Sequence, residues 1–261
     1  MNSPLFSRNR LPLWILAVGA SLFMLPWRIS NLISGGSWAN PDQFAAAIQS
    51  GFLTDLDNNV STPGYGRSSL TTETRFWFWF HLSKAFFALL LLALILLYKK
   101  EIKNDEVKLE FKLHGIFKGF LRFTSTLIAL FVFLILSANI QGSISPLSSL
   151  ISFLPANVRD SSFNQSVDNL RTSLQNSESS SFTSSVLRDF SIYHLSIALI
   201  FGVATIYLFK NVYSFTRANR YSSAFGIAAL GIGFLLLGIA NMGTGLNPVP
   251  AFDVFLSNIL S

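Results

Sequence analysis

The chain contains no cysteine, so it forms no disulfide, iron–sulfur cluster or cysteine-based zinc site. Charge is scarce: 12% of its 261 residues are Asp, Glu, Lys or Arg, about half the usual share, while 51% are hydrophobic. Histidine and methionine are rarer still, with three of each. No GxSxG, HExxH or CxxCH motif occurs, and no Asp or Glu falls inside the long apolar runs. The missing motifs and intramembrane acids argue against a hydrolytic triad, a zinc protease fold and covalently attached haem.

Those long runs define the class. A bilayer core about 30 Å thick needs roughly 20 mostly apolar helical residues. Five segments qualify: Leu11–Trp27, Trp77–Tyr98, Phe120–Ile140, Ser191–Phe209 and Ser223–Met242. Trp14, Trp27, Trp77, Trp79, Tyr98 and Tyr193 lie near span ends, the level at which amphipathic rings prefer to sit. The expected fold is an all-α integral membrane protein. Its organisation reads as a cytoplasmic N-terminus (1–10), span 1 (11–27), an outer segment (28–76), span 2 (77–98), a cytoplasmic loop (99–119), span 3 (120–140), a second outer segment (141–190), span 4 (191–209), a second cytoplasmic loop (210–222), span 5 (223–242) and an outer tail (243–261).

Sidedness follows from Lys and Arg. The N-terminus and the loops after spans 2 and 4 carry 12 basic residues; the opposite side carries six against nine acidic ones. The positive-inside rule then gives N-terminus in and C-terminus out, with the plasma membrane as the expected site. The net charge of +6 is accounted for by this juxtamembrane pattern, and nucleic acid is not an expected partner. Span 1, preceded by Arg8 and Arg10, also resembles a signal peptide, but Pro26-Trp27-Arg28 follows where a small-x-small site belongs, so a retained anchor is the expectation.

Two stretches align without a gap: "RFWFWFHLSKA" (75–85) and "RDFSIYHLSIA" (188–198) share Arg, His, Leu, Ser and Ala. "ANIQGSISP" (138–146) and "ANMGTGLNP" (240–248) share Ala, Asn and Pro. The first pair is 113 residues apart and the second 102, a difference that a longer loop between spans 2 and 3 absorbs. Spans 2/3 and 4/5 thus read as two copies of a helical hairpin.

Each outer segment is expected to hold a helix. Asn40 is a plausible N-cap before Pro41 and Asp42, with Phe44, Ala47, Ile48 and Phe52 on one face. Phe163, Val167, Leu170 and Leu174 keep helical spacing in the second. Sequons at 59–61 and 164–166 are short enough to arise by chance. In the inner loop, residues 106–117 fit a strand by alternation, or a helix running into span 3. The tail repeats Phe252, Phe255, Leu256, Ile259 and Leu260 as an amphipathic helix, for the membrane surface or for a partner.

Candidate chemistry sits about one turn inside the outer ends of the spans. His81, Ser83 and Lys84 follow Arg75; His194 and Ser196 follow Arg188; Asn139 and Asn241 lie at the same level on the returning spans. Ionisable groups in a span are functional candidates by default. One reading makes them ties between helices, with Lys84 reaching outward. A second uses His81, His194, Met24 and Met242 as soft ligands for haem iron or copper, or the His, Arg and aromatic residues as a quinone pocket. A third is transport as a transporter or channel component, for which no deep acidic residue offers ion coupling. Ala228, Gly231 and Gly238, continued by Gly245, form a small-residue face suited to close helix packing. This face, the tail and the odd number of spans point to an accessory or scaffold subunit of a larger membrane assembly, without catalysis or a cofactor, surrounded by lipid and other integral membrane proteins.

Overall fold

The computed structural model describes residues 10–104, 112–152, 161–176 and 180–260. Among these, every regular element is helical: α1 (Leu11–Ser34), α2 (Pro41–Asp57), α3 (Thr71–Asn104), α4 (Lys112–Ile144), α5 (Pro146–Ile151), α6 (Ser161–Gln175), α7 (Ser181–Arg217), α8 (Tyr221–Leu246) and α9 (Pro248–Leu260). Five of them, α1, α3, α4, α7 and α8, are long and apolar enough to cross a membrane. Between 17% and 33% of their most apolar windows is buried. Side chains such as Phe23 (72% exposed) and Phe225 (78%) would be unfavourable in water at about 25 cal/mol per Å², and a lipid solvent removes that penalty.

The helices outrun the apolar runs. The fourth apolar run starts at Ser191, yet α7 begins ten residues earlier at Ser181, because its first turns, though low in helix propensity, bury Phe182, Thr183 and Val186 against neighbouring elements. Ser180 caps it, accepting from Thr183 N–H at 3.1 Å. In the loop after span 2, Lys112 onward is helical; residues 106–111 of the strand-or-helix stretch lie outside the described residues. α5 was not expected from periodicity. It follows α4 after a single residue, and α9 follows α8 in the same way. The linking residues Ser145 (φ −130°, ψ 69°) and Asn247 (φ −131°, ψ 76°) each precede a proline, whose ring drives the residue before it out of the α region.

Two compact units divide the described residues, one from those within 1–33 and 79–140 and one from those within 34–78 and 141–261. The first is a three-helix seam: Leu11, Val18 and Leu22 of α1, Ala85, Ala88, Leu91, Leu94 and Ile95 of α3, and Val132 and Leu136 of α4 form one buried cluster. Lys99 donates to Thr126 Oγ1 at 2.8 Å toward its other end.

The second unit is built on the α7–α8 pair. Here the small-residue face of the fifth span finds its partner within the chain. A Cβ on Gly231 would stand 3.5 Å from Phe209, one on Gly238 3.6 Å from the Ala198 carbonyl, and one on Gly245 only 2.6 Å from Leu195 and 3.1 Å from the Ser191 carbonyl. Ser191 Oγ donates to the Gly245 carbonyl at the tightest point, and Phe201 stacks on Phe234 at 5.1 Å. Gly238→Ala is therefore expected to be neutral or slightly stabilising, since Ala is the better helix former. Gly245→Ala should cost about 1–3 kcal/mol by overpacking. Thermal unfolding of the two purified variants ranks them; equal behaviour would contradict the close approach.

A layer of shorter helices packs on this pair. Asn40 Oδ1 accepts from Gln43 N–H at 2.9 Å and caps α2, as the sequence implied. α2 buries Phe44, Ile48 and Phe52, with Ala45 taking the place expected of Ala47. Phe44 meets Trp38, Phe76 and Trp77 at centroid distances of 4.9, 4.6 and 5.6 Å. Phe52 meets Phe163 of α6 at 5.9 Å and Phe182 of α7 at 5.4 Å. Phe163, Val167, Leu170 and Leu174 are all buried. The tail helix also docks on its own chain: Phe252 and Leu256 of α9 are buried, and Phe252 lies 5.2 Å from Phe190.

Arg171 of α6 and Asp253 of α9 close this layer with an ion pair of 2.8 Å, supported by Gln175 at 3.0 Å. The Arg171 hydrogen bond, foremost, holds the Asp253 carboxyl below its ordinary value. A carboxyl depressed by folding contributes stability at neutral pH that is lost as pH falls through its folded pKa. The protection of α9 amides, taken relative to their intrinsic exchange rates at each pH, should therefore fall on acidification below the ordinary carboxylate range, and Asp253→Asn should flatten that dependence. A half-buried pair at the surface such as this one is still partly screened, so salt is expected to mimic part of the effect.

Candidate functional site

In the first unit His81 Nδ1 lies 2.9 Å from Asn139 Oδ1. In the second His194 Nδ1 lies 2.9 Å from Asn241 Oδ1. The same set of bonds surrounds each pair. Asn139 Nδ2 donates to the Ile135 carbonyl at 2.7 Å, and Asn241 Nδ2 to the Leu237 carbonyl at 2.8 Å. Ser83 Oγ donates to the Phe80 carbonyl at 3.1 Å, and Ser196 Oγ to the Tyr193 carbonyl at 2.9 Å. The ring before each histidine stands edge-on to it, Phe80 at 5.6 Å and Tyr193 at 5.4 Å.

This network fixes proton positions. Each asparagine must turn its NH2 toward a backbone carbonyl, which leaves its oxygen facing the imidazole. The imidazole Nδ1 must then be the N–H donor, and in the neutral ring Nε2 carries the lone pair. Each histidine thus ties an ascending helix to a descending one through Nδ1 and presents Nε2 as an acceptor.

The other sequence candidates are placed differently. Lys84 has no counterpart, since Ile197 occupies the matching position; its ammonium sits 4.9 Å from the Phe80 ring centroid, a cation–π arrangement. Arg75 and Arg188 are exposed. Met24 (69% exposed) and Met242 (48% exposed) are turned outward, the latter along an apolar cleft with Leu195 and Gly238. The two histidines lie in different units, so the four-residue ligand set is not assembled within either one. Among the described residues no three His, Asp or Glu side chains converge as a metal group. No family model, curated protein or solved structure matches this chain.

Two further features were not marked by the sequence. Asp189, next to Arg188, reaches over to α5: its Oδ2 accepts from Ser148 N–H at 2.8 Å, while Ser145 Oγ donates to its carbonyl at 2.6 Å. This carboxylate supplies the cap that Ser145 does not. On one side, Arg188, Asp189, Tyr65 and Ser185 line a pocket of about 360 Å³. On another, His194 lines a second pocket of about 360 Å³ with Phe190, Tyr193, Thr244, Phe255 and Ser148. The sequence had marked Arg188 for the first pocket and His194 for the second; the other walls, from the 61–65 loop and α5 in the first and from α5 and α9 in the second, depend on tertiary docking.

Proposed function

We propose that the protein is a non-catalytic multi-pass membrane protein, an accessory or scaffold subunit of a larger membrane assembly, with N-terminus in, C-terminus out and the short-helix layer on the extracytoplasmic face of the plasma membrane. The distribution of Lys and Arg supports the sidedness. The matching bonds at His81 and His194, and the matching pre-proline junctions at Ser145 and Asn247, support two copies of one hairpin.

The observation that carries the reading is the use to which the rim polar groups are put. His81 and His194 each bond an asparagine of the next long helix, and Asn139, Asn241, Ser83 and Ser196 also bond backbone carbonyls of their own helices. Within each unit these bonds hold two long helices together. Because the glycine face and the tail helix pack internally, contact with other membrane proteins falls to the apolar outer faces, such as Phe225 and Leu236 of α8. Purification from native membranes in mild detergent, followed by mass spectrometry, tests this. A stoichiometric membrane-protein partner is the expected result, and a lone monomer would overturn it. Association should weaken when Phe225 and Leu236 are replaced by polar residues; unchanged association would move the interface elsewhere.

A further inference from the structure

The pocket beside His194 is different in character from the rest of the rim. It lies wholly within the second unit, where the apolar stretches of α7 and α8 meet α5 and α9. Its volume of about 360 Å³ is within the range of small-molecule sites. Phe190, Tyr193 and Phe255 give it aromatic walls; none of its lining residues is Asp, Glu, Lys or Arg. Two polar groups stand out. Asn241 occupies the Nδ1 of His194, so Nε2 is the nitrogen left to a ligand, and it is an acceptor. Ser148, only 8% exposed, lines the pocket with its N–H donated to the Asp189 carboxylate at 2.8 Å and its hydroxyl turned to the same carboxylate, which leaves the hydroxyl oxygen as an acceptor.

We propose that this pocket binds a neutral, membrane-soluble aromatic molecule bearing a ring hydroxyl, of the hydroquinone or alkylphenol class. The aromatic walls suit a planar ring. The His194 Nε2 lone pair accepts the ring O–H, and the Ser148 hydroxyl is placed to bond a second polar substituent. An anionic lipid headgroup finds no cation on these walls. An apolar tail leaves toward the bilayer along α7 and α8. The site is independent of whether the protein acts as a subunit, because it is made by this chain alone.

The test is calorimetric titration of decylhydroquinone, kept reduced under argon, into the full-length protein in lipid nanodiscs, with empty nanodiscs subtracted. Decylbenzene, which lacks the hydroxyls, is the control. Saturable binding of decylhydroquinone alone is expected. His194→Asn keeps a donor at the Nδ1 position, preserves the tie to Asn241 and deletes Nε2. It should weaken binding about tenfold, the equivalent of one buried hydrogen bond. His194→Gln, which puts an amide oxygen near the Nε2 position, should bind within about threefold of wild type but melt at a lower temperature. Ser148→Ala, away from the clasp, should weaken binding about threefold and carries the test if His194→Asn folds poorly. Saturable decylbenzene binding of equal affinity, unchanged binding by both His194→Asn and Ser148→Ala, or no saturable binding by wild type would each overturn the proposal.

Discussion

Phe52→Ala is expected to lower the stability of the protein by about 3–5 kcal/mol, the usual range for emptying a buried aromatic site. Phe52 is 1% exposed and its ring contacts both Phe163 and Phe182. It therefore joins α2, α6 and α7, which are otherwise separate along the chain. These contacts lie outside the apolar spans, so the full hydrophobic driving force applies. Lipid cannot stand in for the lost ring as it can on a bilayer-facing surface. Collapse around the hole is limited, because Phe163 and Phe182 are themselves held at their backbones by helices. Hydrogen exchange should show amides of α2 and α6 losing protection together. Phe225→Ala, on the exposed face of α8, is the matched control and should change little. A Phe52→Ala loss below about 1 kcal/mol would show that the layer does not depend on this node.

Asp55→Ala should be nearly as damaging, at about 2–4 kcal/mol. Asp55 is fully buried. Its Oδ1 accepts from Ser69 N–H at 2.7 Å, and its Oδ2 accepts from Ser68 Oγ. The serine oxygen in turn accepts from Gly64 N–H at 2.6 Å and Leu70 N–H at 3.0 Å. With two N–H groups on the Ser68 oxygen, its own hydrogen has to go to the carboxylate. Removing that acceptor strands two donors, each about 1–3 kcal/mol when buried. Asp55→Asn keeps one acceptor but sets an NH2 against the Ser68 hydroxyl, so it should fall between wild type and Asp55→Ala. Chemical denaturation gives the order, and limited proteolysis between residues 58 and 70 shows where the chain loosens. Cleavage in this loop no faster than in wild type would contradict the arrangement.

Neither effect was legible in the sequence, and the reasons differ. Phe52 was assigned correctly to the buried face of a helix from its spacing to Phe44 and Ile48. Periodicity names the face but not the helices that cover it. Asp55 gave no signal, because its partners stand 13 and 14 residues further on in a turn without a motif. The five apolar helices were readable because run length is a direct physical requirement of a bilayer. The Asn40 cap was readable because capping is local. α5 escaped because six residues are too few to display a period, although Pro146 marked its start. At the candidate site, the histidines and asparagines could be placed at one level by counting along the spans. Their pairing, the tautomer it enforces and the walls that α5 and α9 add to His194 all depend on how helices meet.

The length of α7 has a mechanical consequence. Its 37 residues form a rod about 55 Å long, with the Phe182 contact near one end and Arg217 at the other. No loop divides the two ends, so there is no joint at which a displacement of the Ser181 end can be absorbed. A push on the layer around Phe52 and Phe163 has to be carried along the rod as a tilt, a slide or a bend. The stretch around Lys210, roughly 42 Å of helix away from Phe182, then moves with that layer.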